Sequence, residues 1–409
     1  MLGILNFRTL IPKKHQVAIL SRFTAALRIL NNLAFEMPRR LCVRAGWSRR
    51  AQRHSPETLR GEPQMRNTKN ANVEQLLLKL LGADKTARLF ATLNHPRVLN
   101  EWEDGSVTRA ELAQAMNMAL FEDLLTRSAN GRQYTEDTIA AGGSVYFDHG
   151  ALRTVRWPHS GALPPGEGAF ARILRPLGFS INGRYPLDRL GMTGRAWAHD
   201  DAPDEIAQFF VSELHPERFS AAFQQAVTNV IGASRDPLTP RAAGQLWELE
   251  RDGVLPLDAA HELLPVIVGA FARQHDTPRE ADYDVLLKES AEMAWIATEG
   301  NAFNHATDRV DDVFKLSGDE KAKGRPMKPD VERSRSGRVF QTAYRADIVR
   351  RELRAADGSI VTREVPGSFY EFITRKRSFD QDARRWETDL RFDAGNAQGI
   401  FKMTASQAA

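Results

Sequence analysis

FDHGALRTV (residues 147–155) and FNHATDRV (residues 303–310) are the stretches that decide the fold. Each runs Phe, then Asp or Asn, then His and a small residue, with Arg four places after the histidine. His149 and His305 stand 156 residues apart. Around the first, SVYFDHGALRTVRW is rich in β-branched and aromatic residues and alternates in polarity, which predicts a strand. GEGAFARILRPLGF then predicts a helix ending at Gly178, and GRAWAH and AQFFVSEL predict further strands.

The second phrase opens a similar region. VFQTAYRADIVRREL and GSIVTREVPGSFYEFITRKR predict an antiparallel pair joined at the turn dipeptide Asp357-Gly358. Glu213 follows His149 by 64 residues, and Glu371 follows His305 by 66. A two-residue difference preserves the strand face, because side chains alternate with period two. Glu213 is therefore expected to be the counterpart of Glu371. The pattern is that of a duplicated β-rich module.

The rest of the chain is helical in pattern. VEQLLLKLLG ends on Gly82, and SVTRAELAQAMNMALFEDLLTRS has Ser106 as its candidate N-cap. Four helical stretches fill 216–300, with Pro240 and Pro256 near helix starts. The expected fold class is α+β: helices over 65–140, a first β module over 144–215, a helical insertion over 216–300 and a second β module over 301–409.

Composition narrows the function classes. The 409 residues are 42% hydrophobic, enough for a sizeable core. No run of 18 uncharged apolar residues occurs, so a membrane partner is not expected. A single cysteine, Cys42, excludes an internal disulfide and a Cys-based metal site, and fits a reducing, cytoplasmic setting. The formal charge of +4 is unevenly spread. Residues 1–64 hold twelve Lys/Arg against three Asp/Glu, so the remainder is mildly acidic and offers no case for nucleic acid. That basic segment is expected to be a disordered extension, with Met65 a candidate start; a targeting peptide is the other reading.

The chemistry follows from the strand reading. His149 and Arg153 share a face, about 13 Å apart along the strand. Two histidines and a carboxylate from separate strands suit a facial triad that leaves positions open on Fe(II). A 2-oxo acid can chelate two such positions, and Arg153 can pair with a distal carboxylate. A packed or surface histidine is the competing reading for each phrase. Arg309 reads as a structural partner of Asp308, Asp311 or Asp312. Glu213 reads either as a fourth ligand or as structural. His199 lies in a polar stretch, AHDDAPDE, expected to cap a helix; His159 lies in a loop that can border the pocket; His215, His261 and His275 read as solvated. No phosphate loop, dinucleotide fingerprint or nucleophile elbow is present.

At these residues the chain resembles a known family. FDHGALRT, RAWAH with QFFVSEL, FNHATDRV, FYEFITR and GIF are similar to the 2-oxoadipate dioxygenase/decarboxylase (hydroxyglutarate synthase) family of the vicinal oxygen chelate superfamily, over roughly residues 70–404. The resemblance implies that the two modules form one curved sheet, a half-barrel around a metal, with iron ligands at His149, His305 and Glu371 and a substrate-recognising arginine at Arg153. It implies that GNAQGIF (395–401) closes the pocket on substrate, with Gly395 and Asn396 where Val-Ser is more usual. It implies an Fe(II) enzyme that takes a small 2-oxo diacid and O2, converting 2-oxoadipate to 2-hydroxyglutarate and CO2 in lysine breakdown. A metal-dependent isomerase or lyase without O2 and a non-catalytic binding protein are the alternatives.

Overall fold

The computed structural model describes residues 71–100, 105–381, 384–393 and 395. The chain divides into two units, residues 1–64 and 65–409, and every described residue lies in the second. The expected basic extension, Cys42 and Asn396 lie outside the described residues.

The helices are α1 (Ala71–Leu81), α2 (Ala83–Thr92), α3 (Arg109–Arg127), α4 (Ala129–Ala140), α5 (Gly168–Leu174), α6 (Ala221–Ile231), α7 (Pro240–Asp252), α8 (Leu257–Gly269), α9 (Glu280–Glu289), α10 (Ala291–Glu299) and α11 (Val313–Ala322). Helix α1 stops where Gly82 takes φ +83°, a backbone that favours glycine. Helix α3 does not start at Ser106. Thr108 is the N-cap: its hydroxyl accepts from Glu111 N at 3.2 Å, and Glu111 accepts from Thr108 N at 2.8 Å. Ser106–Thr108 instead forms strand β1, paired with β6 (Val254–Pro256).

Eight strands make the central sheet: β2 (Phe147–Val155), β3 (Phe179–Leu187), β4 (Met192–His199), β5 (Gln208–Leu214), β7 (Phe303–Arg309), β8 (Glu332–Arg333), β9 (Val339–Ala343) and β12 (Phe369–Arg375), in the order β3-β4-β5-β2-β7-β12-β9-β8. The halves match. β2 pairs parallel with β5, as β7 does with β12, and β2 and β7 meet antiparallel at the centre. The duplication expected from the two phrases is therefore a property of the topology. The sheet curls into a half-barrel.

One face of the sheet carries Phe147, Leu152, Phe303, Ala306, Tyr370 and Phe372, in one buried cluster with α1, α3 and α8. β10 (Ile348–Arg354) and β11 (Ile360–Pro366) form the expected hairpin with Asp357-Gly358 at its turn, but its flanks β9 and β12 leave it to join the main sheet. Leu353 and Val365 pack it onto the second core cluster, which includes residues of α6, α9 and α10. β13 (Arg377–Asp380) and β14 (Arg385–Thr388) form a last hairpin, followed by the segment 389–393. No described helix is long and apolar enough to cross a membrane.

Candidate metal centre

The repeated phrase has a structural reason. Along the β2–β7 pair, Phe147 faces Asp308 and His149 faces Thr307, so Asp148 is skipped. At the other end Ala151 faces His305 and Leu152 faces Phe303, so Asn304 is skipped. Each strand thus bulges by one residue at the polar position preceding its histidine, and a bulge re-aims side chains that strict alternation would send to opposite faces. Asp148 Oδ1 lies 2.8 Å from His149 Nδ1, and the Asn304 amide lies 3.0 Å from His305 Nδ1. Each histidine is held at its outer nitrogen by its own neighbour, which leaves Nε2 directed inward.

Both inner nitrogens meet the same carboxylate. His149 Nε2 is 3.2 Å and His305 Nε2 is 3.3 Å from Glu371 Oε2. The three donor atoms lie within 4.8 Å of one another, and all three residues are buried. Among the described residues this is the only cluster of three such donors. Thr307, between His149 and Glu371 in the sheet, donates to Glu371 Oε2 at 2.5 Å, and Gln341 Nε2 donates to Oε1 at 2.9 Å. Burial alone would raise the pKa of Glu371, but His305 and His149 hold it well below the usual carboxylate range. Burial lowers that of His305, against the pull of Glu371. An ionised carboxylate beside two oriented imidazoles is the donor set a first-row divalent ion takes.

Behind His149, Asp148 is fully buried and bound by two arginines. Arg375 grips it at both oxygens, Nε at 2.8 Å and Nη2 at 2.9 Å, and Arg309 Nε adds a bond at 2.6 Å. Burial alone would raise the pKa of Asp148, but Arg375 and Arg309 hold it well below the usual range. The cavity over the ligands is lined by Ala151, Phe210, Ser212, Gln341, Phe392 and Asp393. Phe369 stacks on His305 at 4.8 Å between ring centroids, and Phe392 meets His149 edge-on at 4.8 Å.

Arg153 is buried on β2, opposite Ser212 of β5. Its guanidinium lies 5.0 Å over the Trp295 ring, and burial lowers its pKa to about 10 against the attraction of Glu292. Its charge also opposes protonation of His305. Gly395 donates its N–H to Asp393 Oδ1 at 2.8 Å, two residues beyond the Phe392–Asp393 edge of the cavity.

Several expectations are corrected. Glu213 is not the counterpart of Glu371. Glu371 faces Thr307, two residues after His305; the residue facing Ala151, two after His149, is Phe210. Glu213 faces Thr154, an odd number of residues away from Phe210, and points from the other side of β5. There it accepts from Glu167 N at 2.9 Å and pairs with Arg195 at 3.3 Å, outside the ligand group. Loop lengths differ between the halves, so spacing from the histidine did not carry the register. Arg309 pairs with Asp148 and Asp204, not with Asp308, Asp311 or Asp312. His199 ends β4 and is buried, and the stretch after it leads to β5 without capping a helix. His215 and His275 are buried rather than solvated, and exposed His159 does not line the cavity. Asp148, Asn304, Thr307, Gln341, Arg375 and Phe392 were missed. Only the Asp/Asn before each histidine had a visible signal, its repetition.

The family model for 2-oxoadipate dioxygenase/decarboxylase matches residues 110–402. A crystal structure of a protein assigned to the glyoxalase superfamily, from Ralstonia eutropha JMP134, is 60% identical, covering 79% of this chain and 99% of that one, with a TM-score of 0.75. The hydroxyglutarate synthase of Oryza sativa, solved in complex with 2-oxoadipate, shares the fold at 18% identity and a TM-score of 0.56, covering 75% of this chain and 95% of that one. No curated protein matches. With the duplicated half-barrel, the buried His149–His305–Glu371 group and a match over most of its length, the chain belongs to the 2-oxoadipate dioxygenase/decarboxylase family.

Proposed function

We propose that the protein is an Fe(II)-dependent enzyme that converts 2-oxoadipate and O2 to 2-hydroxyglutarate and CO2, a step of lysine breakdown. The observation that carries this is the convergence of two imidazole nitrogens on one ionised carboxylate oxygen at the centre of the sheet. His149, His305 and Glu371 would hold the iron, and Gln341, bonded to Glu371 Oε1, would keep that carboxylate to a single oxygen toward it. When bound, iron supplies the redox chemistry that joins O2 to a 2-oxo acid with loss of CO2. Asp148 and Asn304 keep both imidazoles aimed inward. Arg153, buried two residues beyond Ala151 in the cavity wall, supplies the cation for the distal carboxylate, with Ser212 beside it. Phe210, Phe369 and Phe392 surround the centre with apolar surface and limit water there.

An oxygen electrode with a panel of 2-oxo acids tests the reading. The iron-loaded protein should consume O2 and 2-oxoadipate one to one and favour that diacid over monoacids. A metal-dependent isomerase or lyase that uses no O2 is the second reading, since two imidazoles and a carboxylate also suit other divalent ions. Turnover of a 2-oxo acid without O2 would select it.

A further inference from the structure

We propose that Arg375 is a positioning residue that makes docking of the segment 389–393 and orientation of His149 a single event. The proposal rests on the metal reading of the site and goes beyond it. Arg375, the last residue of β12, has two sets of partners. On one side it holds both oxygens of Asp148, the group that fixes His149 Nδ1. On the other its Nη1 donates to the carbonyls of Asp389 at 2.9 Å and Arg391 at 2.8 Å, and its guanidinium lies 4.8 Å over the Phe392 ring. The segment is pinned again by Phe392 N, which donates to the Tyr185 hydroxyl at 3.0 Å. The ring so placed is the one that meets His149 edge-on.

The duplication sharpens the point. The position of Arg375, four residues after Glu371, corresponds in the first half to Leu214, four after Phe210. The first half therefore has an apolar residue where the second has this cation, and His305 is fixed at Nδ1 by the Asn304 amide. The cavity over the ligands is lined on one side by Phe392 and Asp393 of this segment. Moving the segment removes two of the acceptors that hold Arg375 across Asp148. Opening of the segment thus loosens His149, and a metal that fixes His149 favours closure, since coupling between two sites is reciprocal.

The test uses the full chain, purified metal-free, with Co(II) as the probe. Backbone hydrogen exchange of 389–393 is followed with and without Co(II), and Co(II) affinity is measured by titration. In the wild type, Co(II) should slow exchange of this segment by roughly 5- to 150-fold. Arg375→Lys keeps a positive charge against Asp148 but cannot reach both partner sets; it should bind Co(II) roughly 10- to 100-fold more weakly and lose the metal dependence of exchange. Tyr185→Phe loosens the segment from its far side without touching Asp148. It should weaken Co(II) binding in the wild-type background and add nothing to Arg375→Lys. If Arg375→Lys does not fold, Tyr185→Phe alone decides. Wild-type affinity and metal-dependent exchange in Arg375→Lys overturn the proposal. So does faster segment exchange in Tyr185→Phe with Co(II) affinity unchanged. A wild type that takes up no Co(II) removes both the proposal and the metal reading, whereas a wild type that binds Co(II) with no effect on the segment removes the coupling alone.

Discussion

Asp148→Asn keeps the shape of the group behind His149 and removes its charge. Asp148 is wholly buried and accepts four hydrogen bonds, two from Arg375, one from Arg309 and one from His149 Nδ1. An asparagine has one oxygen to offer, and its NH2 group must face an arginine, which is a donor, or His149 Nδ1, which could then only accept and would leave the proton on Nε2. The Arg375 side chain is also fully buried, so its charge would lose the carboxylate it grips. Each hydrogen bond to a charged group is worth about 1.5–3 kcal/mol, but the four share one carboxylate and do not add. Breaking a buried pair on one side costs about 3–5 kcal/mol, which sets the expected loss. In a unit of this size that corresponds to roughly 4–8 °C in Tm. The variant should also bind Co(II) or Fe(II) roughly 10- to 100-fold more weakly, because His149 loses the acceptor that fixes its tautomer. Thermal denaturation and metal titration on the same sample measure both. A variant within about 0.5 kcal/mol of wild type with unchanged metal affinity would refute the role given to Asp148.

Other predictions follow the same reasoning. Gly150→Ala should destabilise by about 1–3 kcal/mol, because a Cβ at that position would lie 2.2 Å from the Phe303 ring in the packed core; a urea midpoint equal to wild type contradicts this. His275 is buried, its Nε2 bonded to the Ala297 carbonyl, and burial lowers its pKa to about 4. The unfolded chain, with a histidine pKa of about 6.5, takes the proton first as pH falls. The contribution of His275 is therefore intact above pH ~6.5 and declines toward pH ~4, by roughly 3 kcal/mol. Urea midpoints between pH 7 and 4.5 should fall less steeply in His275→Gln, and an identical slope would remove this histidine as the cause. Arg153→Met should retain iron yet lose at least tenfold in kcat/KM for 2-oxoadipate, since a buried carboxylate would lose its charged partner; normal turnover of the diacid would end the substrate role of Arg153.

The two central strands were legible because their ligands recur in the same local phrase, and a duplicated module announces itself by repetition. Helices with a clear apolar period were equally legible, as α1 and α7 show. β3, FSINGRYPL, was not: it is an edge strand, largely exposed, with Gly and Pro in its length, so it lacks the apolar alternation that marks a half-buried strand. The residues around the ligands were hidden for a different reason. Thr307 lies between His149 and Glu371 only because three strands pair in one register, and register is set across the sheet rather than along the chain. Arg375 meets Asp148 across 227 residues of sequence. The Glu213 correction has the same origin: a strand glutamate at matching distance from a histidine says nothing of its face once the intervening loops differ.

Anaerobic Fe(II) titration of the metal-free protein tests the central claim most directly. The wild type should bind one Fe(II) per chain, and His149→Ala, His305→Ala and Glu371→Ala should each lose that site while remaining folded. Full iron stoichiometry and wild-type affinity in any of the three would remove that residue from the metal centre and contradict the account.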